Sequence, residues 1–282
     1  MAARRAHNPE VEGSSPSPAI YFMKKLFRIF ILFLSIFIYM SCETLDAMFE
    51  TMTKSEGISN DEAISAFRSA MNIGAQSAAM QLGKEDAYFK NKALKILLPD
   101  EAAVIVDNLD KIPGGQRLLD DVILRINRSA EAAAHDVVPI FATAITEMTV
   151  QDGLEIVFGD KNACTKYLHE KTYDKLTALY TPKMNECLNK PMLMGVSANA
   201  AWAKLVHAYE FAAKPANAAA KLFGQEAPMP PVTSDLGRFT TEKALDGLFM
   251  KVEEEEAKIR KSPLDYADAI VQKVFSYVKA HR

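Results

Sequence analysis

Ser59-Asn-Asp-Glu-Ala-Ile-Ser-Ala-Phe-Arg-Ser-Ala-Met-Asn-Ile-Gly-Ala-Gln-Ser-Ala-Ala-Met-Gln-Leu-Gly83 reads as one uninterrupted helix with its start and stop written in. Ser59 and Glu62 form a capping box, in which the serine hydroxyl and the glutamate carboxylate satisfy each other's backbone amides at the helix start. Ile64, Phe67, Met71, Ala78 and Leu82 follow at spacings of three, four and seven, which places them on one stripe of a 3.6-residue repeat. Gly83 is the stop.

The same signals repeat outward from this helix. Ile96-Leu-Leu-Pro99 reads as an extended or turning connection before a helix opened by Asp100, and Pro113-Gly114-Gly115 breaks the chain before a long pattern from Gln116 through Leu119, Val122, Ile123 and Ile126 to Ala134. Pro139 fits a first turn, so a new helix is expected from about Asp136, with Asp136 as its cap. Thr149 to Asp152 is another capping signature, and Gly159 closes the short helix after it. Further helices are expected over residues 161–180 and 198–213, with Ala227-Pro-Met-Pro-Pro231 as a connection. Leu245, Leu248, Phe249, Val252 and Ile259 repeat at helical spacing. Ser262-Pro263-Leu264-Asp265 is expected to open a last helix with Val271, Val274, Phe275 and Val278 facing inward. Alternating strand patterns are hard to find. The expected architecture is all-α, a single irregular domain of about eight to ten helices over residues 58–282.

The N-terminal part reads differently. Lys24, Lys25 and Arg28 precede an apolar run from Leu26 to Met40, and a small Ser41 precedes Cys42. As a helix that run spans about 22 Å, short of the ~30 Å hydrocarbon core, so a cleaved lipoprotein signal over residues 23–41 is expected rather than a permanent span. Tyr39 and Met40 depart from the usual lipobox, which leaves an uncleaved anchor as the alternative. Either way the basic cluster keeps the N-terminal side cytoplasmic and sends the rest of the chain outward. Cys42 would then carry the lipid that holds the protein on the membrane, with residues 42–57 as a tether. Glu43 is not the aspartate that retains some lipoproteins in the inner membrane, so the outer membrane is favoured. Residues 1–22 fit no export signal. Gly13-Ser14-Ser15-Pro16 back-translates into codons resembling the T-arm of a transfer RNA gene, and the expected start of translation is Met23.

Loss of residues 1–41 would leave 241 residues with 28 basic and 34 acidic side chains, an acidic balance that argues against nucleic acid as a partner. In an oxidising compartment Cys164 and Cys187 invite a disulfide, with two buried thiols as the alternative. If one straight helix joined them they would lie about 35 Å apart, so pairing needs a turn, for which Thr181-Pro182 is the candidate.

Asn127-Arg-Ser-Ala-Glu-Ala132, Ile140-Phe-Ala-Thr-Ala-Ile145, Met148-Thr-Val-Gln-Asp152, Lys243-Ala-Leu-Asp-Gly-Leu-Phe249 and Glu255-Glu-Ala-Lys-Ile-Arg260 resemble the bacterial domain-of-unknown-function family 4197 over most of residues 58–279. The resemblance implies an exported, often lipid-anchored protein and supplies no catalytic residues. The chain departs from the family pattern at Asp265-Tyr-Ala-Asp268, where the family has an Arg-Thr-Thr type of segment, and at Cys164, where it usually has alanine.

Among residues that could carry chemistry, Glu253 to Glu256 point in successive directions around a helix and cannot converge on one ion; with Lys258 and Arg260 they read as a solvated face of i,i+4 pairs. His135-Asp136, His169 and His207 are candidate titrating groups, but no nucleophile elbow or metal-binding histidine pair accompanies them. Gly114-Gly115-Gln116 is a turn leading into a helix. Lys243 and Asp246, with Glu242 beside them, are candidates for a ligand pocket or a helix junction, and a buried Asp246 would need a partner. Met184, Met192, Met194, Trp202, Tyr209 and Phe211 form the most adaptable apolar group, as core or as ligand cavity. No cofactor and no metal site is expected. The expected role is that of a lipid-anchored envelope protein binding a partner protein or an apolar ligand; the alternative is a periplasmic, hydrolase-like enzyme whose site is assembled from residues distant in sequence.

Overall fold

The computed structural model describes residues 57–282. The leader 1–22, the signal 23–41, Cys42 and the tether up to Glu56 lie outside the described residues. Helix α1, Asn60–Leu82, begins as its sequence dictates: Ser59 Oγ accepts from the Glu62 amide at 3.2 Å, and the Ser59 amide donates to Glu62 Oε2 at 3.0 Å. Its buried stripe is wide and made largely of small residues, Ala63, Ala66, Ala70, Gly74, Ala75, Ala78 and Ala79, interrupted by Phe67, Met71 and Leu82. Small side chains let neighbouring helices approach closely from several sides. α1 therefore becomes the central post of the domain. At Gly74 the approach is so close that a Cβ would sit 3.1 Å from Val252 Cγ1.

A single turn α2 (Ala103–Val106) and helices α3 (Gly115–Ala133), α4 (Val137–Glu147), α5 (Gly153–Phe158), α6 (Ala163–Asn189), α7 (Ala198–Leu222), α8 (Leu236–Lys261) and α9 (Ala269–Ala280) complete the fold. No strand occurs among the described residues, and residues 58–282 make one compact unit. α4, α5, α8 and α9 pack around α1, α6 lies against α8, α3 and α4, and α3 pairs with α7. Among the described residues no helix is long and apolar enough to cross a membrane.

Several ends differ from the expected ones, each for a local reason. α3 starts at Gly115 because Gly114 adopts φ +69°, a left-handed conformation that side chains disfavour. Pro139 does occupy the first turn of α4, but the Asp136 side chain makes no capping bond there and stands exposed. The start of α5 is capped from a distance: Asn60 Oδ1 accepts from the Leu154 amide at 3.2 Å, whereas the Asp152 side chain makes no such bond. Ser262-Pro-Leu-Asp265 forms only a 3-10 turn over Pro263–Asp265; α9 opens later, where Asp268 Oδ1 accepts from Ile270 and Val271 at 3.0 Å each. Val271, Val274, Phe275 and Val278 face the core, as expected.

The largest correction concerns proline. α6 runs through Pro182 and α7 through Pro215, so both helices are longer than expected. Both prolines are exposed, so the carbonyls they leave without an amide partner can be satisfied by water. No turn then separates Cys164 from Cys187. They stand on one helix, about 35 Å apart at 1.5 Å per residue, and both are free thiols, as in the alternative to a disulfide, though only Cys164 is fully buried and Cys187 is half-buried.

Candidate ligand cleft beside Asp246

One side of α8 carries Leu245, Leu248, Phe249 and Val252 into the core. The other carries Phe239, Lys243, Asp246, Met250 and Glu253, spaced by threes and fours along an open edge. The irregular segment 93–101 flanks this edge on one side and α6 on the other. Between α8 and 93–101 lies a cleft of about 600 Å³, lined on the apolar side by Leu94, Leu97, Phe239 and Met250 and on the polar side by Lys243 and Asp246. A second hollow of about 510 Å³ opens between α8 and α6, bordered by His169, Phe249 and Glu253. Asp246 and Met250 line both.

Lys243 and Asp246 are thus brought together, with Lys243 Nζ 3.6 Å from Asp246 Oδ2. Asp246 is half exposed rather than buried, but it is partnered all the same: the Tyr173 hydroxyl of α6 donates to Asp246 Oδ1 at 2.9 Å and lies 3.3 Å from the Glu242 carbonyl. Burial pushes the Tyr173 phenol up, and the hydrogen bond to the Asp246 carboxylate adds to the shift. The His169 ring lies tilted against Tyr173 at 4.5 Å and meets Phe249 edge-on at 4.7 Å between centroids. Tyr173 and His169 were not singled out as partners of Asp246; their i,i+4 spacing on α6 is the only local sign that they share a face.

The other candidates lie elsewhere. Trp202 is half-buried on α7 beside Val206 and Val232, in an open hollow separate from the Asp246 cleft. The expected apolar group is split: Met184 and Tyr209 are core, Trp202 and Met192 are half-buried, and Met194 and Phe211 face outward, so the six do not line one cavity. His135, Asp136 and His207 are exposed. Among the described residues no group of three or more His, Cys, Asp or Glu is placed to hold a metal ion.

The run Glu253 to Glu256 is a solvated face only in its first half, where Glu254 is exposed and Glu253 half-buried. Glu256 is fully buried and Glu255 nearly so. Glu256 accepts from the amides of Cys164 and Thr165 at 3.1 and 2.8 Å and from Thr165 Oγ1 at 2.7 Å, so it caps the start of α6 from another helix. Arg260 donates to the same carboxylate at 2.8 Å and to the Val157 carbonyl at 2.7 Å. Burial, then the Glu256 carboxylate, pushes the Cys164 thiol well above its ordinary value, which leaves it unreactive. Of the two i,i+4 pairs that the spacing offers, Glu254 with Lys258 and Glu256 with Arg260, only the second forms; Lys258 binds Glu255 and Glu254 binds Lys251.

The Asn127-Arg-Ser-Ala-Glu-Ala132 segment is a second buried anchor. Asn127 Oδ1 accepts from the Ile96 amide at 2.9 Å while its Nδ2 donates to the Ile96 and Ile123 carbonyls, both at 2.7 Å. Glu131 accepts from the Tyr88 and Phe89 amides, and Arg128 bridges Glu131 and Asp86 at 2.6 Å each. These bonds fix the 84–98 segment, and with it one wall of the Asp246 cleft.

No curated protein and no solved structure matches this chain. A family model described as "Protein of unknown function (DUF4197)" matches residues 57–276, a span that holds both buried anchors and the whole α8 edge, and the chain belongs to that family.

Proposed function

We propose that this is a lipid-anchored cell-envelope protein, held at Cys42, whose helical domain binds an apolar ligand or an apolar segment of a partner protein along the open edge of α8. The cleft between α8 and residues 93–101 carries this reading: Leu97 and Met250 are large apolar side chains left substantially exposed on facing walls, with Asp246 and Lys243 at hand to orient a polar group. The wall formed by 93–101 is held by Asn127, so the cleft is pre-formed rather than assembled on binding.

Two substitutions separate the parts of the proposal. Cys42→Ser should release the protein from membranes or leave an unprocessed precursor; unchanged fractionation and migration would refute the anchor. Met250→Glu places a charge where both hollows meet without touching the core. Full-length protein purified gently from membranes should retain a co-purifying lipid or peptide by native mass spectrometry, and Met250→Glu should lose it. Parent protein recovered bare would refute the binding reading.

A further inference from the structure

α7 presents an outward face unlike the rest of the domain. At about 100° per residue, Ala200, Lys204, His207, Phe211, Lys214, Pro215, Ala218 and Leu222 fall within about 60° of one line along its length, and all are exposed. Phe211 is 65% exposed, Leu222 85% and the adjoining Phe223 80%. No carboxylate lies in this stripe; the exposed Glu210 stands about 100° round from Phe211, beyond its edge and about 40° from Lys214. Lys214 Nζ sits 5.9 Å from the centre of the Phe211 ring, and Lys221 adds a further cation just outside the stripe, about 80° from its line. The residues after the leader are acidic on balance, so a face of lysine, histidine and large apolar groups without acid is a local departure from that balance.

The loop before α7 continues the pattern and is held in place. Arg125, nearly buried, donates to the Leu193 and Val196 carbonyls at 2.7 and 2.6 Å. Between these two points Met194 takes φ +53°, a left-handed conformation that a methionine adopts only when its surroundings impose it, and its side chain is 96% exposed. A buried arginine thus fixes a loop whose tip is an outward-pointing methionine.

We propose that the outer face of α7, with Met194 at one end and Leu222 and Phe223 at the other, lies on an anionic lipid surface. The proposal rests on the membrane anchor at Cys42, only sixteen residues before Ile58, which would keep the domain beside a bilayer. Charge and shape favour that occupant. Lysines meet anionic headgroups, the aromatic and aliphatic side chains enter the interface, and a convex helix face with protruding side chains suits a fluid surface better than a fitted protein groove. The lysine stems can lie along the apolar groups with their ammonium ends at headgroup level.

Trp202 is the only tryptophan and lies half a helical turn away from Phe211 on the inner side, which supplies a built-in control. The full-length protein is reconstituted into vesicles of phosphatidylglycerol and phosphatidylethanolamine with brominated acyl chains, and flotation reports anchoring separately from emission. Parent Trp202 should be little quenched, whereas Phe211→Trp should lose about half of its added emission, as expected for a ring in the interface. In zwitterionic vesicles, or with Lys204→Glu and Lys214→Glu added, the quenching should disappear while the protein still floats. A floating Phe211→Trp protein without quenching in anionic vesicles overturns the proposal and leaves the anchor standing. Protein that does not float overturns both.

Discussion

Arg260 and Glu256 form an ion pair inside the domain, with Arg260 Nη2 2.7 Å from Glu256 Oε1 and the glutamate fully buried. The pair joins three elements, because Glu256 also caps α6 and Arg260 also holds the end of α5 through the Val157 carbonyl. Taking two charges out of water is costly, and the arrangement is tolerable because the additional hydrogen bonds complete both groups. Glu256→Ala would leave a buried guanidinium and two amides without their acceptor. The expected loss is about 3 to 5 kcal/mol by urea denaturation. Replacing both residues, Glu256→Leu with Arg260→Met, should cost less than the two single losses added together, because neither charge is then left unpaired. A loss from Glu256→Ala below about 1 kcal/mol would show the pair to be a minor contact.

Glu62 links α1 and α9, accepting from the Ser59 amide at 3.0 Å and from Lys273 Nζ at 2.7 Å. The bond from Lys273, then that from Ser59, lowers its carboxyl from 4.5 to about 2. A carboxyl that binds its proton more weakly when folded stabilises the fold above its unfolded value, and that contribution is lost as pH falls through its folded value. The stability difference between the parent and Glu62→Gln should therefore be complete at neutral pH, shrink below about 4.5 and be lost as the pH passes below about 2. Thermal midpoints across that range measure it. A difference independent of pH would mean that the charge on Glu62 plays no part.

How far these contacts were legible depends on where their partners come from. The capping box of α1 and the stripe of α9 were readable because all their residues lie within one helix, and Lys243 with Asp246 because three residues is one turn. The burial of Glu256 was not, since it depends on Thr165 arriving from 91 residues away. The same holds for Tyr173, which reaches Asp246 across 73 residues. Pro182 misled for a different reason. Proline removes one amide and usually ends a helix, but on an exposed face the vacated carbonyl turns to water, and exposure is a property of the tertiary fold.

Asn127 is fully buried and ties both polar backbone groups of Ile96 to α3. Asn127→Ala would strand the Ile96 amide and carbonyl, an expected loss of about 1 to 3 kcal/mol. The released segment is specific, so residues 84–98 should become the first site of limited proteolysis and the Ile96 amide should exchange far faster. Unchanged cleavage and exchange would contradict the anchoring role.

Free thiols on one helix make a chemical prediction that a disulfide would reverse. Cys187 is half-buried and Cys164 fully buried among Arg260, Glu256 and Thr165. Burial raises both thiols, far more strongly at Cys164. Under native conditions a maleimide should modify Cys187 slowly and Cys164 only on unfolding, since the thiolate is the reacting form and the reagent must reach it. In denaturant without reductant both should be labelled at once. A non-reduced protein in which neither cysteine reacts after denaturation would mean that the two are bonded, which the unbroken helix through Pro182 forbids within a single chain, and would therefore require a bond between two chains or a different course of α6.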